Sequence, residues 1–142
     1  MDGAKNSLTK ELKFAKCLGL ASHCNASIYS FYGGELPNLM REVGRLRKQS
    51  FEGVGVSMPD SEAIDESDLD GTYHQLIAWD NDAGAIIGGY RYAIGREVEA
   101  ERLSLGRYFS LSNRFVSEYM PRGIELGRSF IQSRYQCGCN AK

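Results

Sequence analysis

The chain has 142 residues, of which 42% are hydrophobic and 25% are charged, values typical of one globular domain. Its 17 Lys and Arg against 18 Asp and Glu give a formal net charge of -1, which excludes binding to nucleic acid through bulk positive charge. The apolar runs are only a few residues long, far short of the ~20 that a membrane-spanning helix needs. Lysines interrupt residues 1–20, so the sequence predicts no secretory signal and a cytoplasmic location.

The cysteine and histidine positions predict neither a disulfide framework nor a metal site. The four cysteines are Cys17, Cys24, Cys137 and Cys139. Without an export signal they are not expected to form disulfides, and neither pair has the spacing of a zinc knuckle. The two histidines, at positions 23 and 74, complete no ligand pattern, so we expect no bound metal ion.

The first part of the chain predicts a helix, a strand and a second helix. Loosely periodic leucines favour an amphipathic helix over residues 8–20. A β-branched and aromatic run, closed by two glycines, predicts a strand over 28–32. Pro37 suits the first turn of a helix, and apolar residues at i, i+4 and i+7 extend that helix over 37–51.

The middle of the chain predicts a loop followed by a hairpin. Residues 57–70 carry six acids and no base, a composition typical of a loop. Two apolar runs over 73–79 and 85–94 flank a connector that is rich in turn-forming residues. This arrangement predicts two antiparallel strands.

The last part of the chain predicts a helix and one more strand. Ser112 is placed to cap a helix that ends at Pro121. Ile, Leu, Ser and Phe residues that alternate with Glu125 and Arg128 predict a strand over 124–131. Residues 132–142 show no apolar periodicity and are expected to be a loop. The resulting order, α-β-α-β-β-α-β, indicates an α+β or mixed α/β fold in a single domain, residues 1–142.

Two strands carry charges that a purely structural role does not require. Arg91 lies inside an apolar strand, flanked by Tyr90 and Tyr92 and shortly after Gly88 and Gly89, which indicate a close approach of two backbones. Glu125 and Arg128 are three residues apart, so strict alternation places them on opposite faces of the last strand. An inward-facing carboxylate in a partly dehydrated position suits the work of a general base.

Seven segments in sequential order carry a family resemblance. They are MREVGRLRKQSF (40–51), IDESD (64–68), YHQLIAWD (73–80), IGGYRY (87–92), LGRYF (105–109), EYMP (118–121) and IELGRSF (124–130). Together they closely resemble the ornithine/glycine N-acyltransferase family of bacterial aminolipid synthesis. A more distant resemblance is to the acyl-homoserine-lactone synthases. Both imply a GNAT-like acyltransferase fold, an α/β (α+β) fold with a mixed, mostly antiparallel sheet flanked by helices.

The resemblance implies a reaction, a donor and an acceptor. The amine of an amino acid, glycine or ornithine, attacks the thioester of a 3-hydroxyacyl group carried on acyl carrier protein. No cofactor is expected to stay bound, because the acyl-phosphopantetheine thioester is a co-substrate. The partners implied are acyl carrier protein and the amino acid, not nucleic acid. A cytoplasmic enzyme of lipid synthesis also leaves room for peripheral contact with the inner membrane.

The resemblance also assigns roles to seven residues. The series comprises Arg47 and Phe51, Asp65 and Asp68, Arg91, and Glu125 and Arg128. It implies that Glu125 accepts a proton from the amine, directly or through water, and that the two aspartates hold the amine and the acidic loop. The arginines would pair with carboxylates of enzyme or substrate, and backbone N–H groups in the last strand would face the oxyanion. The structural alternative is a buried ion-pair network that braces the helix against the hairpin.

The resemblance departs from this sequence at the C-terminus. The family continues its last matching strand into a loop and a helix that hold pantetheine. Residues 136–141 have similar ingredients in the wrong register. We therefore expect a chain that is truncated or frame-shifted near residue 136, or is half of a longer gene, without the C-terminal elements and with an open edge on the last strand. That edge predicts a homodimer.

Two other functions stay open at this point. Family members carry the label haemolysin, but the sequence has no basic amphipathic span and no spanning segment that would attack a membrane. A non-catalytic remnant could still bind acyl carrier protein through Arg41, Arg45, Arg47 and Lys48. The same charges are also typical of a solvated helix face.

Overall fold

The computed structural model describes residues 2–136. The helices are α1 (Asp2–Leu12), α2 (Pro37–Gly53), α3 (Asp60–Ala63), α4 (Glu66–Leu69), α5 (Ser104–Tyr108) and α6 (Ser133–Gln136). The strands are β1 (Lys16–Leu20), β2 (Ala26–Tyr32), β3 (His74–Asp80), β4 (Ala85–Ile94) and β5 (Ile124–Ile131). Between β4 and β5 lie 3₁₀ turns at Ala100–Arg102 and Met120–Arg122 and a π turn at Phe115–Tyr119.

The five strands form one sheet in the order β1-β2-β3-β4-β5. Every strand thus lies beside the next one in sequence, and each pair of neighbours runs antiparallel. The predicted hairpin is confirmed as β3 and β4, and the last predicted strand is confirmed as β5. The prediction of a mostly antiparallel sheet flanked by helices is also confirmed.

Helix α2 covers one face of this sheet, which we call the inner face. The helix begins at Pro37 and presents its apolar stripe to side chains that alternate along the strands. The buried cluster between them includes Leu39, Met40, Val43, Leu46, Ile77, Trp79, Ile86 and Phe130. A second cluster, which includes Tyr73, Ala93, Leu103 and Met120, lies under the segment that joins β4 to β5.

The prediction of one helix over residues 8–20 is wrong. Helix α1 ends at Leu12, and residues 16–20 form β1, which pairs with β2. Leu18 and Leu20 are 48% and 77% exposed, so their spacing does not mark the buried side of a helix. Pairing with an adjacent strand has overridden the local helical pattern.

The loops predicted on either side of the hairpin contain short helices. Residues 57–70 hold α3 and α4. Two of the acids that indicated a loop, Asp65 and Asp68, supply the cap of α4, whereas no side chain caps α3. Ser112 accepts a hydrogen bond from the Phe115 amide, as a cap should, but the helix it begins is a π turn. Residues 133–136 form α6, and the rest of the predicted C-terminal loop, including Cys137 and Cys139, lies outside the described residues.

The predicted close approach at Gly88 and Gly89 is confirmed. A Cβ atom on Gly88 would overlap the Phe130 carbonyl oxygen of β5, and one on Gly89 would overlap the Leu76 carbonyl oxygen of β3. Both glycines therefore allow β4 to lie between its two neighbours at this point.

Strand β5 contains one residue more than its pairing with β4 requires. Gly127 pairs with Arg91 and Phe130 pairs with Gly89, so three steps along β5 match two along β4. Arg128 takes up the difference with a φ of 54°, in the left-handed region. The expectation that Glu125 and Arg128 lie on opposite faces is therefore wrong, because this bulge breaks the alternation on which it rested.

Candidate active site

A cavity of about 920 Å³ lies between β5, the end of α2 and the segment that joins β4 to β5. One wall is charged and includes Glu62, Asp65, Arg91, Glu125 and Arg128. The rest of the lining is largely apolar and includes Phe51, Met58, Leu103, Phe109, Phe115 and Leu126. The cavity thus offers both charged groups and apolar surface, as sites for amphipathic ligands do.

Asp65 and Asp68 form a reciprocal cap on α4. The Asp65 carboxylate accepts a hydrogen bond from the Asp68 amide, and the Asp68 carboxylate accepts one from the Asp65 amide, both at 3.1 Å. This is the geometry of a capping box, and it explains the spacing of three between the two acids. The cap fixes these two residues of the acidic segment (residues 57–70), with Asp65 facing the cavity and Asp68 buried beneath it.

Beneath the cavity, Asp68 pairs with Arg47 in a position closed to solvent. The Asp68 Oδ2 atom is 2.9 Å from Arg47 Nη1, and both side chains are 0% exposed. Gln75 joins them: its Oε1 accepts from Arg47 Nη2 at 2.6 Å and its Nε2 donates to Asp68 Oδ1 at 2.8 Å. Burial alone would raise the pKa of Asp68, but attraction to Arg47 and Arg91 and the hydrogen bonds it accepts outweigh burial and lower that pKa.

Asp65 connects two further arginines at the cavity wall. Arg91 Nη1 lies 2.8 Å and 2.9 Å from the two Asp65 carboxylate oxygens. Arg128 Nη2 lies 3.3 Å from Asp65 Oδ2, and its Nη1 donates to the Glu62 carbonyl oxygen. The arginine of β4 and the arginine of the β5 bulge therefore share one carboxylate, which ties the sheet to the acidic segment.

Glu125 lies on the same wall and accepts three hydrogen bonds. Its Oε1 accepts from the Tyr73 hydroxyl and from the Ser104 amide at 3.2 Å, and its Oε2 accepts from the Leu105 amide at 3.0 Å. Tyr73 also lies 4.2 Å beneath the Arg91 guanidinium, measured to the ring centroid. Burial, and then the bond to Glu125, raise the pKa of Tyr73, so its phenol stays protonated and remains a donor.

The structure brings all seven predicted site residues into one region, in two layers. Phe51, Asp65, Arg91, Glu125 and Arg128 line the cavity. Arg47 and Asp68 do not line it, because they are fully buried behind Asp65 and Arg91. The predicted ion-pair network between helix and hairpin is thus present, and part of it forms the cavity wall.

Sequence reasoning missed three residues that complete this network: Tyr73, Gln75 and Ser104. Tyr73 and Gln75 belong to a motif segment whose alternate positions face inward, which was the available signal. Ser104 follows a segment with no clear periodicity, and nothing in the sequence indicated its contact with Glu125.

Of the four basic residues proposed as a carrier-protein surface, three lie on the outer side of α2, and each of these has a polar partner. Arg45 pairs with Glu42 at 2.7 Å, Lys48 pairs with Asp60 at 2.7 Å, and Arg41 donates to the Asn38 side chain. Including Arg47 in that surface was wrong, because its side chain is 0% exposed and faces Asp68. The exposed members form the solvated face that was the alternative interpretation.

Residues 2–136 contain neither a helix that could span a membrane nor a cluster of metal-binding side chains. No helix in this part of the chain is long and apolar enough to cross a membrane. No group of three or more His, Cys, Asp or Glu side chains in the same range is placed to hold a metal ion.

Comparison with known proteins agrees with the fold. The family profile described as an acetyltransferase (GNAT) domain matches residues 46–141, more than half of the chain. The chain therefore belongs to the acetyltransferase (GNAT) domain family, and the resemblance seen in the sequence is confirmed.

Two curated relatives carry the name of a particular acyltransferase. They are the Glycine N(alpha)-acyltransferase of Bacteroides thetaiotaomicron, 39% identical, and that of Phocaeicola vulgatus, 37% identical, each over 139 residues and 94% of this chain. The chain spans 41% of the length of the first relative and 43% of the second. No solved structure matches the chain significantly.

Proposed function

We propose that this chain forms the catalytic part of an N-acyltransferase that transfers an acyl group from a thioester to the amine of glycine. The observation that carries the proposal is the cavity itself, which Glu125, Asp65 and two arginines line together with apolar side chains. A thioester acyl donor and a small charged acceptor need these two environments side by side. The names of the relatives support glycine over ornithine as the acceptor.

The charges on the cavity wall suit a zwitterion. Three carboxylates, those of Glu62, Asp65 and Glu125, line the cavity together with three guanidinium groups, those of Arg91, Arg107 and Arg128. We assign the substrate ammonium to the side of Asp65 and Glu125, and the substrate carboxylate to Arg128. Guanidinium groups pair with carboxylates in a fixed, bidentate geometry, which would orient the amine toward the thioester.

The reaction needs proton transfer and no covalent enzyme intermediate. The amino-acid nitrogen attacks the thioester carbonyl carbon, a C–N bond forms, and the C–S bond breaks. Of the two protons that the ammonium loses, one goes to solvent and the other passes through Glu125 to the departing thiolate. Backbone N–H groups in the stretch of β5 where pairing with β4 is interrupted, between Gly127 and Phe130, are the proposed oxyanion donors.

The proposed donor is a 3-hydroxyacyl group on acyl carrier protein, and the proposed product is an aminolipid. The apolar part of the lining, which includes Phe51, Leu103 and Phe115, supports an acyl chain as the transferred group. Arg47 and Asp68 then act from beneath the cavity by holding Asp65 and Arg91. The carrier protein itself is proposed from the family resemblance.

A product assay tests this function. The 142-residue chain would be incubated with 3-hydroxyacyl carrier protein and glycine, ornithine, lysine or serine, and the products identified by mass spectrometry. We expect N-acylglycine. A parallel incubation with the same acyl group on coenzyme A tests the choice of carrier. Absence of every product from this chain would contradict the proposal.

A matched pair of variants tests the role of Glu125. Glu125→Gln removes the proton acceptor and should lower the rate about 10²-fold to 10⁴-fold. Glu35→Gln, at an exposed position outside the cavity, should leave the rate unchanged. Equal rates for the two variants would remove Glu125 from the mechanism.

A further inference from the structure

We infer that Tyr73 is a positioning residue for this reaction, because its phenol holds the Glu125 carboxylate with Oε2 directed into the cavity. The inference rests on the proposed function, in which Glu125 accepts the proton. Tyr73 itself touches no substrate, since it is 0% exposed and does not line the cavity.

The two carboxylate oxygens of Glu125 differ in the number of hydrogen bonds that they accept. Oε1 accepts from the Tyr73 hydroxyl and from the Ser104 amide, which occupies both of its lone pairs. Oε2 accepts only from the Leu105 amide, at 3.0 Å, and so keeps one lone pair. The free lone pair is the one that would take the proton.

The phenol is itself fixed from two sides. The Ser104 N–H is shared between the Tyr73 oxygen, at 2.8 Å, and Glu125 Oε1, at 3.2 Å, and the Ser104 hydroxyl also lies 3.1 Å from the Tyr73 oxygen. The Tyr73 hydroxyl hydrogen is donated to Glu125 Oε1. Arg91 lies over the ring at 4.2 Å from its centroid. Tyr73 thereby fixes the distance between the proton acceptor and the arginine that holds Asp65.

The test compares Tyr73→Phe with a matched hydroxyl deletion. Tyr73→Phe keeps the ring beneath Arg91 and removes only the donor to Glu125. Tyr92→Phe removes a phenol hydroxyl that is also hydrogen-bonded, to Ser30 at 2.8 Å, away from the cavity. Thermal unfolding of both variants shows whether each is folded under the assay conditions.

In the acylation assay, Tyr73→Phe should lower kcat about 10-fold to 100-fold, the range for losing a hydrogen bond to a charged group. KM for glycine should change less than about twofold, because the substrate contacts remain. Tyr92→Phe should match the wild type. A Tyr73→Phe enzyme with wild-type kcat, or with a raised KM alone, overturns the inference and leaves the proposed function standing.

A second measurement decides the matter if the wild-type chain yields no product. That result would count against the proposed function and not against the geometry around Tyr73. Amide hydrogen exchange at Ser104 and Leu105, followed by NMR, should then be faster by about tenfold in Tyr73→Phe and unchanged in Tyr92→Phe. Unchanged exchange in Tyr73→Phe would show that the phenol does not hold Glu125 and would overturn the inference.

Discussion

Asp68 is the residue on which the charged layer beneath the cavity depends. Its carboxylate accepts hydrogen bonds from Arg47, Gln75 and the Asp65 amide, and it lies 3.4 Å from Arg91. Asp68 therefore balances the buried guanidinium of Arg47 and shares that of Arg91 with Asp65. Removing that acid leaves positive charge in a place that water does not reach.

We expect Asp68→Ala to lower the free energy of unfolding by about 3 to 5 kcal/mol, the usual effect of breaking a buried ion pair from one side. Asp60→Ala is the matched control, since Asp60 also pairs with a base on α2 but is 90% exposed at its side chain. The control should change stability far less. Urea unfolding followed by circular dichroism measures both, and similar losses in the two variants would contradict the prediction.

The same residue predicts how stability responds to acid. Because the native surroundings lower the pKa of Asp68, its contribution is present above the unfolded-state pKa of about 4 and is lost as pH falls through the lower native value. The difference in unfolding free energy between wild type and Asp68→Asn should thus be largest near neutral pH and shrink below about pH 4. A difference that stays constant from neutral to acid pH would disprove this assignment.

At the scale of elements, residue patterns and turn chemistry were enough to predict five of them. Helix α2 and strands β2, β3, β4 and β5 carry their own patterns, so the local sequence already specifies them. Strand β1 was taken for helix because its leucines lie on an exposed edge, where apolar spacing does not report burial. Helices α3 and α4 have four residues each, too few for any period, and only α4 has a side-chain cap.

The candidate site was predictable in its residues but not in its layers. The family resemblance supplied all seven positions, yet nothing in the sequence distinguishes buried Arg47 from Arg128 at the cavity wall. The burial of Arg47 depends on how α2 packs against Ala63, Asp68 and Gln75, whereas the position of Arg128 depends on the register of β5 against β4. A bulge is visible only once both strands are in place, because it is a mismatch between two counts.

Close contacts between strands give a prediction for Gly89. A Cβ atom there would overlap the Leu76 carbonyl oxygen, which belongs to backbone and cannot rotate away. Gly89→Ala should therefore destabilise the protein by about 1 to 3 kcal/mol. Gly53→Ala, at the end of α2 with nothing within 4 Å of the added atom, should be neutral or slightly stabilising. Chemical denaturation would contradict the argument if both variants behaved alike.

For the whole molecule, the two edges of the sheet are the features that another chain could use. Strands β1 and β5 each pair on one side only within the described residues. An unpaired edge offers N–H and C=O groups to a second copy, so the predicted homodimer would form there. The interaction remains a prediction, and it specifies β5 as the edge involved.

Sedimentation velocity over a range of concentrations measures this association. We expect a dimer that Ile131→Lys shifts toward monomer, because Ile131 is 51% exposed on β5 and a lysine disfavours edge pairing. Leu20→Lys makes the matched change on β1, where Leu20 is 77% exposed, and should leave the dimer intact. A single monomeric species at every concentration would exclude the dimer, and dissociation by Leu20→Lys alone would move it to the other edge.

The extra residue in β5 makes the length of this strand as important as its composition. Counting in twos from Glu125 would turn Phe130 outward, whereas the bulge at Arg128 keeps both on the inner face. Deletion of a single residue between Glu125 and Phe130 would move every later side chain of β5 to the other face of the sheet. Glu125 could then line the cavity only if Phe130 left the core, since no shift of register could return the two side chains to the same face.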